Sequence, residues 1–184
     1  NYIARMDGDD ISLPDRLKKQ AEFLDHNPET DVVGTLMIPF DEKGDRAARK
    51  KTEKPDRYIL RKETPFNHAT IMARKKVYDT LHGYTVSNRT VRGQDLDLWF
   101  RFYEEGFQGA NIQEALYKVR EGSSDMRRRS AKMGWNATRT LFWGFRLLKF
   151  PVKYYPYCIK PFISAILPKK FMYNYHKYKD LLSK

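Results

Sequence analysis

Three carboxylates lie within four residues at the end of a predicted β-strand, and this feature constrains the chain most strongly. Residues 2–6 have the apolar character of a short strand, and residues 7–10 (DGDD) follow directly. Pro14 then opens a predicted helix over residues 14–26. Adjacent carboxylates repel one another unless a cation offsets the repulsion, and hard cations such as Mg²⁺ bind protein and phosphate oxygens together. Ligands also bind at the carboxyl ends of strands in open α/β sheets. The run predicts a metal-assisted phosphate or nucleotide site.

Three other interpretations of the acidic run are possible. A solvated acidic loop is a common alternative. A calcium-binding EF-hand is disfavoured, because Leu13 and Pro14 stand where further ligands should continue. An aspartyl-phosphate phosphatase also begins with two aspartates after a strand, but the later lysine and paired aspartates of such a site are not evident in the sequence.

A second carboxylate cluster lies at the start of a helix predicted over residues 93–105. Gly93 permits an unusual backbone geometry, and Asp95 then sits at or beside the helix N-terminus. Asp95 could be a helix cap, but this position also suits an ionised carboxylate acting as a general base. Asp97 lies two residues further on and cannot share that helical face, so we expect a different role for it.

The remaining pattern predicts short alternating elements and one change of character along the chain. We expect strands over residues 31–38, 67–74 and 115–119, a helix over 76–81, a surface loop or flap over 41–55, and a long basic helix over 126–149. Prolines divide the remainder of the tail into short segments. We place a domain boundary near Ser123, which separates a catalytic part (1–123) from a helical tail (124–184).

The net charge of +12 is carried by the tail. Residues 126–184 contain 14 lysines and arginines and one acid, whereas residues 1–125 contain 21 basic and 22 acidic residues. Such asymmetry indicates that the tail contacts something anionic. The sole cysteine, Cys158, excludes an internal disulfide and a cysteine-based zinc site.

Aromatic residues alternate with cations along the tail, and three interpretations follow. An anchor at an anionic membrane surface is favoured, since no stretch reaches the roughly 20 apolar residues of a membrane-spanning helix. Packing of the tail on the catalytic part comes second. Nucleic-acid binding comes last, although basic and aromatic side chains also describe single-strand binders.

Several motifs in order resemble those of family 2 glycosyltransferases with the GT-A fold. The matching stretches are 2–17 (YIARMDGDDISLPDRL), 19–20 (KQ), 31–34 (DVVG), 67–72 (NHATIM), 83–84 (GY) and 93–99 (GQDLDLW). The resemblance covers roughly residues 1 to 120. It implies an α/β, Rossmann-related mixed sheet flanked by helices. It also implies transfer of a sugar from a nucleotide donor, a UDP-sugar being favoured, to an acceptor hydroxyl with inversion at the anomeric carbon.

The resemblance also implies roles for particular residues. Asp9 is the expected ligand of Mg²⁺ or Mn²⁺, Asp7 would contact that metal, its water shell or the donor ribose, and Asp10 would support the loop. Asp95 maps to the catalytic base, with Gln94 in the place of a common glutamate. The remaining substrate-binding candidates are His68, Asp97 and Trp99, and a structural place for His68 and a core place for Trp99 are the alternatives.

The family's nucleotide-recognising elements precede the acidic motif, so we expect this chain to be the C-terminal part of a catalytic domain without its N-terminal half. The Gln-x-x-Arg-Trp motif of processive synthases is absent from the sequence, which favours addition of one sugar per binding event. The implied setting is synthesis of a surface polysaccharide or lipid-linked glycan on the inner face of a bacterial cytoplasmic membrane. The alternative function is a non-catalytic membrane-surface or nucleic-acid binding module.

Overall fold

The computed structural model describes residues 1–91, 93–121 and 130–167, and within them a mixed six-stranded sheet forms the centre. The strands are β1 (Tyr2–Ala4), β2 (Ile11–Ser12), β3 (Val32–Asp41), β4 (Gly44–Asp45), β5 (Met72–Arg74) and β6 (Gly109–Arg120). Their order is β1-β5-β3-β6-β2, with β4 pairing with the end of β3. The long strands β3 and β6 run parallel, and the other pairs are antiparallel.

Helices cover both faces of this sheet. They are α1 (Arg16–His26), α2 (Lys75–Leu81), α3 (Gln94–Glu104), α4 (Ala131–Leu147) and α5 (Lys160–Ile166), with 3₁₀ helices at Arg57–Arg61, His68–Thr70 and Val152–Ile159. Val33 contributes to a small cluster with Leu24 of α1, whereas its neighbour Val32 joins the main core. Successive strand residues point to opposite faces, so α1 and the main core lie on opposite sides of the sheet.

The main core is built around α3. Leu98, Trp99, Phe100 and Phe102 of this helix are buried in it. Gly106, just beyond the helix end, has a φ of +77°, a left-handed conformation that favours glycine at helix ends. The predicted stop of α3 is therefore found where expected.

The described part of the tail shares this core. Phe145, Leu148, Phe150 and Cys158 belong to the same buried cluster as the α3 residues. Gly144 of α4 lies so close to Phe100 that an added Cβ would be 2.2 Å from its ring. Packing of the tail on the catalytic part therefore accounts for Phe145 and Phe150 among the tail aromatics. None of the described helices has the length and apolar character needed to cross a membrane.

Several predicted elements differ from the observed ones. The predicted strand over 67–74 is a 3₁₀ turn followed by the short strand β5, because Asn67 and Thr70 side chains bond to backbone groups of residue 35 and bend the chain. The strand predicted over 115–119 extends back to Gly109, since β3 supplies a parallel partner from Gly109 to Arg120 with a register shift in the middle. The predicted loop 41–55 contains the short strand β4. The first part of the helix predicted over 126–149 lies outside the described residues, and α4 begins at Ala131.

Candidate active site

Both carboxylate clusters lie around one segment, the 3₁₀ turn that begins at His68. The imidazole of His68 lies within electrostatic reach of both Arg5 and Asp95. Arg5 in turn forms a bidentate contact with the Asp7 carboxylate, at 2.8 and 3.2 Å. The structure therefore brings the loop after β1 and the N-terminus of α3 to the same region, although about ninety residues separate them in the chain.

The acidic loop offers its carboxylates unequally. Asp9 is exposed, and within the described part of the chain its carboxylate has neither a hydrogen bond nor an ion pair. Asp7 is half-buried and held by Arg5. Asp10 is buried and accepts hydrogen bonds from the Tyr117 hydroxyl (2.8 Å) and the Arg120 backbone N–H (2.8 Å). Asp10 is thus placed to support the loop, while Asp9 is placed to meet a ligand.

Tyr117 of β6 holds the acidic loop in shape, a role that the sequence did not suggest. Its hydroxyl donates to Asp10 and accepts the backbone N–H of Asp7 at 3.1 Å. Burial raises the pKa of this phenol to about 12, with the nearby carboxylates adding to the rise and the Asp7 amide opposing it. The hydroxyl therefore keeps its proton at neutral pH and remains a donor to Asp10.

Arg16 and Gln20 join this loop to the sheet from the buried face of α1. The Arg16 guanidinium donates to the Arg5 carbonyl at 2.6 Å and, through Nε, to Gln20 at 3.0 Å. Gln20 donates to the carbonyls of Val33 and Thr70 at 2.9 and 2.8 Å. These two side chains, one helical turn apart, fix the acidic loop against the 3₁₀ turn that carries His68.

Asp95 occupies the first turn of α3 and is half-buried, while the neighbouring Gln94 is exposed. Within the described residues, the Asp95 carboxylate has no hydrogen-bond partner. It faces the electropositive end of a helix, which stabilises a negative charge. A carboxylate with free lone pairs in this position is chemically able to accept a proton from a hydroxyl group.

Asp97 and Trp99 are enclosed, and this corrects the expectation that they contact a substrate. Asp97 is fully buried and forms ion pairs with Arg89 at 2.7 Å and Arg101 at 3.0 Å. Trp99 is 1% exposed and packs edge-to-face on Phe66. Neither side chain has exposed surface with which to touch a sugar, and the core position of Trp99 is the one that the structure shows. Both residues instead fix α3 beneath Asp95.

His68 is half-buried beside this carboxylate. Its Nε2 is 2.9 Å from the Tyr84 hydroxyl, and its ring packs edge-to-face against Trp99. The pKa of His68 is lowered to about 4, mainly by burial and also by Arg5, while Asp95 opposes the shift. The imidazole is therefore neutral at pH 7. A neutral ring suits a hydrogen bond to a substrate better than an ion pair with a phosphate.

The carboxylates of the acidic loop could supply some of the ligands of a hard divalent cation, provided that other molecules supply the rest. Asp9 supplies an available carboxylate, and Asp7 supplies one that it shares with Arg5. Across residues 1–91, 93–121 and 130–167, no group of three or more His, Cys, Asp or Glu side chains is arranged to hold a metal ion. The residues thus fit Mg²⁺ or Mn²⁺ only where phosphate oxygens and water complete the shell.

Comparison with known proteins assigns the chain to a family. The family model described as Glycosyl transferase family 2 matches residues 1–92, half of the chain, and the chain belongs to this family. The putative glycosyltransferase EpsE of Bacillus subtilis is 49% identical over 177 residues, covering 96% of this chain and 64% of that protein. The amylovoran biosynthesis glycosyltransferase AmsE of Erwinia amylovora is 34% identical over 149 residues, covering 80% of this chain and 54% of that protein. The chain therefore spans between about half and two thirds of these relatives.

Solved structures support the fold. The chain resembles S. aureus TarS 1–349 in complex with UDP-GlcNAc with a TM-score of 0.54 and 15% identity, over 90% of this chain and 58% of that chain. The mixed sheet flanked by helices is thus of the GT-A-like type, and the expected α/β class is confirmed.

Proposed function

We propose that the protein containing this chain is an inverting glycosyltransferase that moves one sugar from a nucleotide-sugar donor, with a UDP-sugar favoured, to a hydroxyl of a glycan or lipid-linked acceptor. The observation that carries the proposal is that the segment leading into the acidic loop, which exposes Asp9, and the start of α3, which carries Asp95, both lie beside the 3₁₀ turn of His68. The names of EpsE and AmsE support a glycosyltransferase, and that of AmsE supports polysaccharide synthesis. The UDP-GlcNAc bound to TarS supports a nucleotide-sugar donor.

In this mechanism Asp95 accepts the proton of the acceptor hydroxyl as its oxygen attacks the anomeric carbon. The new C–O bond forms on the face opposite the departing nucleoside diphosphate, which leaves with the electron pair of the broken bond, so the configuration inverts. Asp9, with Asp7 beside it, would hold Mg²⁺ or Mn²⁺. When bound, that cation would offset the charge that develops on the leaving diphosphate. His68, which bonds to the Tyr84 hydroxyl and lies within electrostatic reach of Asp95, would hydrogen-bond the acceptor.

Donor binding by the full-length protein tests the proposal. We would titrate a panel of nucleotide sugars by calorimetry with and without Mn²⁺, using the wild type, Asp9→Asn and the matched control Asp56→Asn. Asp56 is an exposed helix cap whose carboxylate accepts the Tyr58 N–H, and asparagine caps helices equally well. We expect Mn²⁺-dependent affinity for one nucleotide that Asp9→Asn reduces at least tenfold and Asp56→Asn leaves unchanged.

Two results would contradict the proposal. Equal binding by Asp9→Asn and the wild type would remove Asp9 from the donor site. Absence of binding to any nucleotide by the folded wild type would overturn the transferase assignment in favour of a non-catalytic binding module.

A further inference from the structure

One face of α4 alternates cations with aromatic rings. Lys132, Trp135, Arg139, Phe142 and Arg146 recur every three or four residues, which places them in one stripe along the helix. All five side chains are exposed, although Trp135 and Phe142 are large apolar groups. The opposite side of α4 is buried against the core, through Leu141 and Phe145 among others. Folding has therefore buried one side of this helix and left about half of the Trp135 and Phe142 side chains exposed.

The segment after α4 extends this surface with aliphatic side chains. Val152, Ile159, Ile163 and Ile166 are each at least half exposed, and Val152 is 81% exposed. The segment packs against the stripe through two ring pairs, Trp135 with Phe162 at 5.5 Å and Phe142 with Tyr155 at 5.4 Å. An open groove of about 1340 Å³ lies between α4 and the segment that follows it. The stripe and these aliphatic side chains together are called the basic-aromatic face below.

The charge of this region has one sign. Residues 130–167 contain six lysines and arginines and no acidic residue. Continuous apolar exposure of this kind marks an interaction surface, and its cations require a partner that is anionic. Segments that lie at the headgroup layer of a membrane typically expose aromatic and aliphatic side chains flanked by cations.

We propose that the basic-aromatic face binds an anionic lipid bilayer, an inference that goes beyond the sugar transfer proposed above. In bacteria this would be the inner face of the cytoplasmic membrane. The cations would contact lipid phosphates, while Trp135, Phe142 and the isoleucines would enter the boundary between headgroups and acyl chains. Surface attachment of this kind needs no membrane-spanning helix.

Other occupants fit the same face less well. A second copy of the chain would bring the same positive charge against it. Residues 168–184 carry five lysines and one aspartate, so they too are electrostatically mismatched to it. Single-stranded nucleic acid is also anionic, but its bases bind to proteins by stacking on aromatic rings. The exposed isoleucines and the valine of this face cannot stack with bases.

The location of the face gives attachment a consequence for the site. α4 packs directly on α3, whose first turn carries Asp95, through the contact between Gly144 and Phe100. Arg89 lines the groove, stacks over Trp143 at 4.1 Å and pairs with Asp97. Attachment through this face would hold the catalytic carboxylate close to the bilayer surface, where a lipid-linked acceptor would be presented.

Vesicle flotation with the full-length protein tests the inference. The vesicles are phosphatidylcholine alone or with 30% phosphatidylglycerol, at low and high salt. One variant removes three cations (Lys132→Gln, Arg139→Gln, Arg146→Gln), and another removes two rings (Trp135→Ser, Phe142→Ser). Matched controls remove three exposed cations elsewhere (Lys18→Gln, Lys43→Gln, Lys62→Gln) or two exposed apolar groups elsewhere (Leu17→Ser, Val86→Ser).

We expect the wild type to float with anionic vesicles and not with neutral ones, with less binding at high salt. The partition coefficient should fall about 100-fold in the triple-cation variant and about tenfold or more in the double-ring variant. Both controls should bind like the wild type, and circular dichroism would verify that every variant is folded.

Three results would overturn the inference. They are equal losses in the controls and the face variants, a dimer in light scattering that the double-ring variant dissociates, and binding to a single-stranded oligonucleotide without binding to vesicles. Because flotation needs no donor, failure of lipid binding and failure of donor binding are measured separately.

Discussion

The Tyr117 hydroxyl donates a hydrogen bond to the Asp10 carboxylate at 2.8 Å, joining residues 107 positions apart in the chain. The same hydroxyl accepts the Asp7 backbone N–H, so one atom of β6 holds both ends of the loop that presents Asp9. The loop therefore does not depend on a bound metal alone for its shape. Its geometry is set in advance by β6, which lies between β3 and β2 in the sheet.

Tyr117→Phe should lower both stability and donor affinity. The substitution removes the hydroxyl but keeps the ring, and it leaves the Asp7 N–H and one Asp10 oxygen without this partner. A buried polar group that loses its partner costs about 1–3 kcal/mol in the free energy of unfolding, measurable by urea denaturation. Tyr157→Phe is the matched control, because this ring is exposed and a surface change of this kind shifts stability by less than about 0.5 kcal/mol. Equal stability of the two variants would contradict the role assigned to Tyr117.

Asp95→Asn should slow turnover strongly while leaving donor binding intact. Asparagine keeps the size of the side chain but cannot accept the acceptor proton, and loss of a general base lowers the rate by about 10²–10⁴-fold. Calorimetry should show donor affinity within about twofold of the wild type, because the predicted donor ligands Asp7 and Asp9 lie in the loop after β1 and not on α3. Gln94→Ala is the control, since Gln94 is exposed and precedes Asp95. If Gln94→Ala lost the activity and Asp95→Asn kept it, the base would be assigned to the wrong residue.

Local pattern predicted the elements that carry the site, but not the contacts that hold it. The sequence predicts a strand that ends at the acidic run and a helix that begins near Gly93, and the structure has both elements. The helix predicted over residues 14–26 buries Arg16 and Gln20, whose partners are carbonyl groups of residues 5, 33 and 70. Those partners become neighbours only after the sheet forms, so no spacing in the sequence could reveal them.

The same limit explains why the sequence suggested a substrate contact for Asp97, which the structure shows to be buried. In the sequence it stands beside Asp95 in an acidic cluster, and its chemistry alone suited a ligand contact. Its ion pair with Arg89 depends on how the segment before α3 folds back, whereas Arg101 lies four residues further along the same helix. A carboxylate three residues beyond a helix start points toward the core when the helix packs on that side, and only tertiary structure determines which side that is.

The pH dependence of stability should carry a contribution from His68. The unfolded imidazole takes up a proton near its ordinary pKa of 6.5, whereas the folded one does so only near pH 4. Between these values the unfolded state binds more protons, so the free energy of unfolding decreases as the pH falls from about 6.5 to about 4. His68→Gln should lack this component when urea denaturation is compared across that range. His26→Gln, which changes an exposed histidine, should retain the wild-type profile, and an unchanged profile in His68→Gln would contradict the burial argument.

Gly144→Ala should destabilise the protein, although the same change in an exposed helix stabilises it by about 1 kcal/mol. An added Cβ at this position would lie 2.2 Å from the Phe100 ring, so α4 or the ring has to move. Overpacking of this kind costs about 1–3 kcal/mol in the free energy of unfolding. Asn136→Ala on the same helix is the control, and we expect it to be neutral or slightly stabilising, because its side chain is only partly buried. A stabilising effect of Gly144→Ala would show that α4 does not pack on α3 as described. The proposed membrane face would then lose its fixed position relative to Asp95.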